Sequence, residues 1–294
     1  MQLGAGASNA LRGAATGPIA SARLLGVGPK ALYLAVGADH PIIPGPAVIA
    51  VLAHDAVRLP CGVVLPTTAA ELPLTAIGPG REAVCLVGGG QLRWTGPDGP
   101  VVVNIVREWP VSRVGHGRPA AAAVTAARAG LPTVLNFRRW SDGNPAQWGG
   151  GDRLACALLG RGPGLTPAGD DLLAGLLLGH VAFESGKSPG SGGRSATDPL
   201  ADAIAALAPT RTTALSAALL AHAARGECIP EAAAFAAALA GTAAVEPALH
   251  RLLRVGHTSG AALALGLILA AEHALAADPA GVAANAAAAM AGAR

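Results

Sequence analysis

The chain has 294 residues, 52% of them hydrophobic and 13% charged, which excludes a disordered chain and leaves room for one large domain or two modest ones. Lys and Arg number 21 against 18 Asp and Glu, a net charge of +3 carried mostly on single Arg residues. No basic run interleaved with aromatics marks a nucleic-acid surface, so nucleic acid is not expected as a partner.

Through residue 117 the sequence reads as strands. Ala31–Val36 is a short β-prone run ended by Gly37, and Val48–Leu52 follows the turn-rich Pro41–Pro46 with His40 beside it. Gly62–Leu65, Ala83–Val87, Gln91–Thr95 and Val101–Val106 continue the series. Gly88-Gly89-Gly90 and Gly96-Pro97-Asp98-Gly99 read as hairpin turns between the last three. Short strands with punctuation at this spacing predict a small antiparallel sheet or barrel.

From residue 118 to 294 the grammar is helical. Ala120–Ala129 is Ala-rich and stops at Gly130, a C-cap residue type. An irregular stretch from Asn136 to Gly151 carries Trp140 and Trp148. Helices are expected near 152–159, 167–183, 199–207, 212–225, 230–240, 245–254 and 259–276, with Ser185–Thr197 a polar loop and an Ala-rich tail after Asp278. The fold class is therefore α+β, a β-rich first part followed by an all-α second part.

Cys61, Cys85, Cys156 and Cys228 are widely spaced and include no C-x-x-C pair, which fits free thiols in a reducing cytoplasm rather than a zinc site or a disulfide scaffold. The first seventeen residues lack the continuous apolar core of a signal peptide. The longest apolar run, Val255–Ala271, is interrupted by His257, Thr258 and Ser259, and Leu172–Phe183 falls short of the roughly twenty residues a spanning helix needs. No membrane is expected as a partner.

The densest polar signal is Gly160–Leu173, a glycine-rich loop that runs into a helix start. Thr166 reads as the N-cap and Pro167 as the first helical residue, with Asp170 and Asp171 in the first turn. Gly162 and Gly164 would let backbone N–H groups approach an anion there. Adjacent Asp residues point about 100° apart around a helix axis, so one of the two is expected to face inward. The leucine pattern that follows favours Asp170 as the inward residue, either bracing the loop or catalytic.

Two further helix starts share this style. Arg211-Thr212-Thr213 opens a helix that also carries Ser216, and Gly256-His257-Thr258-Ser259-Gly260 opens the most apolar helix in the chain. Gly175 and Gly179 lie one turn apart on one helix, and Gly260, Ala264 and Gly266 mark a similar face on another. Close packing of those faces would bring the Asp pair and the GHTSG segment together. A pocket there would suit phosphate, carboxylate or a carbamoyl group.

GLTPAGDD at 164–171 and GHTSG at 256–260 resemble the paired signatures of the AllH-type family, with Ala168 where the family usually carries Ser. One branch of that family is a subunit of the oxamate carbamoyltransferase of anaerobic allantoin breakdown. The resemblance implies a carbamoyltransferase subunit that handles a small anionic metabolite, such as carbamoyl phosphate or oxamate, together with partner subunits. Thr166, Thr212, Thr213, Thr258 and Ser259, with Gly162 and Gly164, would hold the substrate. Asp170, Asp171 and His257 would serve catalysis. No cofactor is required on that reading. The alternatives are a Mg²⁺-dependent phosphoryl enzyme with Asp170 and Asp171 as metal ligands, or a non-catalytic subunit that binds a metabolite.

Overall fold

A computed structural model describes residues 1–36, 47–80, 83–132, 150–183 and 199–277. His40 and the Pro41–Pro46 turn, Trp140 and Trp148 with the stretch around them, the Ser185–Thr197 loop and the tail after Asp278 lie outside the described residues. The chain divides into two compact units, Met1–Ser112 and Arg113–Arg294.

The first unit is a closed barrel of eight strands: β1 (Gln2–Ser8), β2 (Ala20–Val27), β3 (Ala31–Val36), β4 (Ala47–Leu52), β5 (Gly62–Val64), β6 (Cys85–Gly88), β7 (Gln91–Gly96) and β8 (Gly99–Trp109). Their order around the barrel is β1-β5-β4-β3-β2-β6-β7-β8. The barrel is mixed rather than wholly antiparallel. β1 runs parallel to β8, with Gln2 opposite Val102, and β4 runs parallel to β5, with Val51 opposite Val63.

Period-2 alternation explains the interior. Leu32, Leu34 and Val36 of β3 are buried, as are Leu92 and Trp94 of β7, while Arg93 between them is exposed. The β6–β7 hairpin closes at Gly88 opposite Gln91, and its two turn residues, Gly89 and Gly90, take φ of 59° and 78°. Positive φ at both positions of a two-residue turn is what glycine supplies without steric cost. Helix α1 (Arg12–Thr16) sits between β1 and β2, and the one-turn helix α2 (Leu74–Ile77) packs Leu74 and Ile77 inward. The Trp94 Nε1–H donates to the Ile77 carbonyl at 2.5 Å, which satisfies the one polar atom of a buried indole.

The second unit is helical: α3 (Ala121–Gly130), α4 (Gly151–Leu158), α5 (Ala168–Phe183), α6 (Pro199–Arg211), α7 (Ala214–Ala223), α8 (Pro230–Leu239), α9 (Val245–Leu253) and α10 (Ser259–Ala277). Its centre is the pair α5 and α10, with twelve of the sixteen residues of α5 and nine of the nineteen of α10 buried. A Cβ placed on Gly175 would lie 2.3 Å from the Leu263 carbonyl oxygen and 2.9 Å from the Gly266 Cα. One placed on Gly179 would lie 2.3 Å from the Ala270 Cβ. Gly175 facing Gly266 and Gly179 facing Ala270 means that the two helices run parallel. The same spacing carried back sets the start of α5 at Ala168 level with the start of α10 at Ser259. α10 is long and apolar enough to cross a membrane by length and composition, and its place against α5 accounts for that apolarity.

All four cysteines are free, with Cys61, Cys85 and Cys228 buried and Cys156 exposed. Burial pushes the Cys61 and Cys228 thiols up to about 12, so both are small apolar side chains in the core.

Candidate functional site at the paired helix starts

Parallel packing puts the positive dipole ends of α5 and α10 side by side, each worth about half an elementary charge. The loop Gly160–Thr166 leads into the first start and the turn Gly256–Thr258 into the second. Thr166 Oγ1 lies 3.2 Å from Ser259 Oγ, so the two sequence motifs meet through their hydroxyls.

Thr166 does not cap α5, which begins at Ala168. The Pro167 carbonyl accepts from the Asp170 N–H at 2.9 Å and from the Asp171 N–H at 3.1 Å. Pro167 therefore holds the capping position, which frees the Thr166 hydroxyl for Ser259. The Gly169 N–H donates to the Arg161 carbonyl at 2.9 Å, so the glycine-rich loop itself satisfies part of the helix start. The expected row of open N–H groups at α5 is reduced accordingly, and the polar character of the site rests on hydroxyls and carboxylates.

Asp170 is the inward member of the acidic pair, at 2% exposure. Its Oδ1 accepts the Gly160 N–H at 2.8 Å and its Oδ2 accepts the Thr212 hydroxyl. Burial raises its carboxyl above the usual range, while the Thr212 and Ser216 hydroxyls and the Gly160 N–H pull against that rise.

Asp171 stands apart from these partners. Its Oδ2 is buried and has no hydrogen-bond partner among the described residues. Burial pushes its carboxyl up to about 7, the Ser259 hydroxyl opposes the rise, and the neighbouring Asp170 charge adds to it. A buried acceptor left unpaired costs about 1–3 kcal/mol, so the position is expensive for the fold to keep.

Thr213, not Thr212, caps α7, and its Oγ1 accepts the Ser216 N–H at 3.1 Å. The same hydroxyl donates to the Leu165 carbonyl at 2.6 Å, and the Ser216 hydroxyl reaches that oxygen at 3.4 Å. Leu165 itself is 42% exposed at the lip of the loop. Gly162 backs onto the start of α5, since a Cβ there would lie 2.9 Å from the Ala168 nitrogen, whereas Gly164 has open space around it. Thr258 is half-buried and His257 exposed in the turn before Ser259. The structure thus joins Thr166 to Ser259 and Asp170 to Thr212, and leaves the His257 imidazole outside both hydrogen-bonded groups. Among the described residues no group of three or more His, Cys, Asp and Glu is arranged to hold a metal ion.

His222 belongs to a second polar cluster. Glu227, 6% exposed, accepts from His222 Nδ1 at 2.7 Å, Arg225 Nη2 at 3.0 Å and Arg113 Nη2 at 2.6 Å. Burial alone would raise its carboxyl, but His222 and Arg225 hold it below the usual range. The group joins the end of α7, the turn after it and Arg113, which lies 114 residues from Glu227 in the chain, so no local pattern in the sequence marks it.

These features define an α+β protein whose helical unit joins two glycine-flanked, hydroxyl-bearing motifs at parallel helix starts. Residues 158–271 match the model of the family described as oxamate carbamoyltransferase subunit AllH. The description of the family as a subunit implies partner subunits for its members. No solved structure matches the chain.

Proposed function

We propose that the chain is a component of an oxamate-type carbamoyltransferase. On this reading it binds carbamoyl phosphate or phosphate, and a small amide or carboxylate such as oxamate, where α5 and α10 begin. The observation that carries the reading is the 3.2 Å approach of Thr166 and Ser259, which unites both motifs inside the segment that matches the family. Carbamoyl transfer forms a bond from an amide nitrogen to the carbamoyl carbon as the carbon–oxygen bond to phosphate breaks, and a proton leaves the nitrogen. The chain supplies hydroxyls at Thr166, Thr258 and Ser259 for the oxygen atoms, and helix dipoles that favour developing negative charge.

Asp171 is assigned to the nitrogen. A buried carboxylate oxygen without a donor is matched by an N–H group, and the acidic pair disfavours a phosphate at the same spot. His257, exposed beside Ser259, is assigned to proton transfer. The phosphate end then belongs on the hydroxyl side, away from Asp171. Partner subunits complete the enzyme, and the cytoplasm is its proposed location.

A thermal-shift panel on the purified chain tests the reading, with carbamoyl phosphate, inorganic phosphate, oxamate and Mg²⁺ as separate arms. Concentration-dependent stabilisation by oxamate or carbamoyl phosphate is expected, because a ligand of the folded state stabilises it by mass action. Stabilisation by Mg²⁺ alone would favour the acidic pair as a metal site instead. No response to either organic ligand would count against substrate binding by this chain.

A further inference from the structure

Thr212 and Asp170 read from sequence as a substrate-binding and a catalytic residue, but their geometry is turned toward the protein. Both oxygens of the Asp170 carboxylate are engaged, one by the Gly160 N–H at 2.8 Å and the other by the Thr212 hydroxyl. The side chain has almost no surface left for a ligand, at 2% exposure. Gly160 is also pressed against the turn between α6 and α7, where a Cβ would lie 2.2 Å from the Arg211 carbonyl oxygen. Asp170 therefore ties the beginning of the Gly160–Thr166 loop to the residue that precedes the α7 cap.

The far end of the loop is held from the same helix start. The Leu165 carbonyl accepts the Thr213 hydroxyl at 2.6 Å and the Ser216 hydroxyl at 3.4 Å. Thr166 follows directly, with its own hydroxyl on Ser259. The loop is pinned at both ends by one short segment, Thr212–Ser216, and by a carboxylate in the first turn of α5.

We infer that Asp170 and Thr212 are positioning residues that clamp the Gly160–Thr166 loop so that Thr166 stays opposed to Ser259, and that neither touches the ligand. The inference rests on the functional reading for what Thr166 and Ser259 bind. It divides the acidic pair by role. Asp170 holds the loop, and Asp171, with one oxygen unpaired, is the member left for the ligand.

The test compares Thr212→Val, Thr212→Ser and Asp171→Asn in the full chain. Hydrogen exchange of the amides in residues 160–166 is read alongside oxamate affinity, both well below the melting temperature. Thr212→Val removes a hydrogen bond to a charged acceptor, so faster loop exchange and an affinity loss of about tenfold are expected. Thr212→Ser restores the hydroxyl and is expected to recover both. Asp171→Asn is expected to weaken oxamate binding with loop exchange unchanged. Unchanged loop exchange in Thr212→Val would overturn the clamp, and so would lost affinity without faster exchange, which would make Thr212 a ligand contact. Should the wild-type chain bind no oxamate, the functional reading fails while the exchange comparison still decides the clamp.

Discussion

Gly175 of α5 and Gly266 of α10 face each other with no side chain between the two backbones. A Cβ on either would fall within 2.3 Å of a carbonyl oxygen of the opposite helix, Leu263 in one direction and Leu172 in the other. This crossing sets the helices parallel and level, and so brings their starts together.

Gly175→Ala or Gly266→Ala should therefore push the helices apart and destabilise the chain by about 3 kcal/mol, the upper part of the usual range for overpacking. Gly115 has open space around it and no positive φ, so Gly115→Ala should stay within about 0.5 kcal/mol of wild type. Urea unfolding of the three variants checks the contrast.

Asp171 predicts a stability cost that grows with pH. Its folded-state carboxyl lies at about 7 against an ordinary value of 3.8. A raised carboxyl is neutral in both states below the ordinary value, so the ionisation-linked difference from Asp171→Asn vanishes in acid. As pH rises from about 4 to about 7, the unfolded chain ionises more readily than the folded one, and wild type loses stability. Asp171→Asn should lack that loss and be the more stable protein above pH 7 or so. Unfolding curves at both ends of the window test it, and parallel pH profiles would refute it.

Glu227 has the opposite sign. Its carboxyl is held below the ordinary 4.5, so its stabilisation is present above that value and disappears as pH falls through the lower folded value. Glu227→Gln should cost about 2 kcal/mol at neutral pH, the scale of a hydrogen bond to a charged group, and should flatten the acid side of the stability profile. Unfolding of wild type and variant from neutral pH into acid measures both effects.

The barrel was legible where strands alternate or bury both faces. Ala31–Val36 forms β3 with the expected bounds, and both glycine-bearing hairpins lie where the turns were read. β1 and β2 gave no comparable signal. Gln2–Ser8 is mostly Gly, Ala and Ser, residues of weak strand preference, and it is a strand because it pairs with β8 along its length. Gly6 also lies beneath Arg107 and Trp109, where a Cβ would come 3.0 Å from the arginine, so the small residue is dictated by a distant partner.

In the helical unit the small-residue faces of α5 and α10 could be read as a packing surface, and the structure shows the backbone crossing they allow. Individual hydroxyls could not be assigned. Thr166 reads as the cap of α5, but Pro167 holds that position and the Thr166 hydroxyl meets Ser259; of the two threonines that open α7, Thr213 is the cap and Thr212 meets Asp170. Cap positions depend on where the first helical turn closes, which the loop contacts decide.

Titration calorimetry of oxamate and carbamoyl phosphate into the wild-type chain, Asp171→Asn and Ser259→Ala tests the ligand site at the paired helix starts most directly. Saturable binding to wild type, weakened about tenfold or more in each variant, is the expected result, since each substitution removes a hydrogen bond to the ligand or its charged partner. Equal affinity in all three proteins would contradict a site built from Thr166, Asp171 and Ser259.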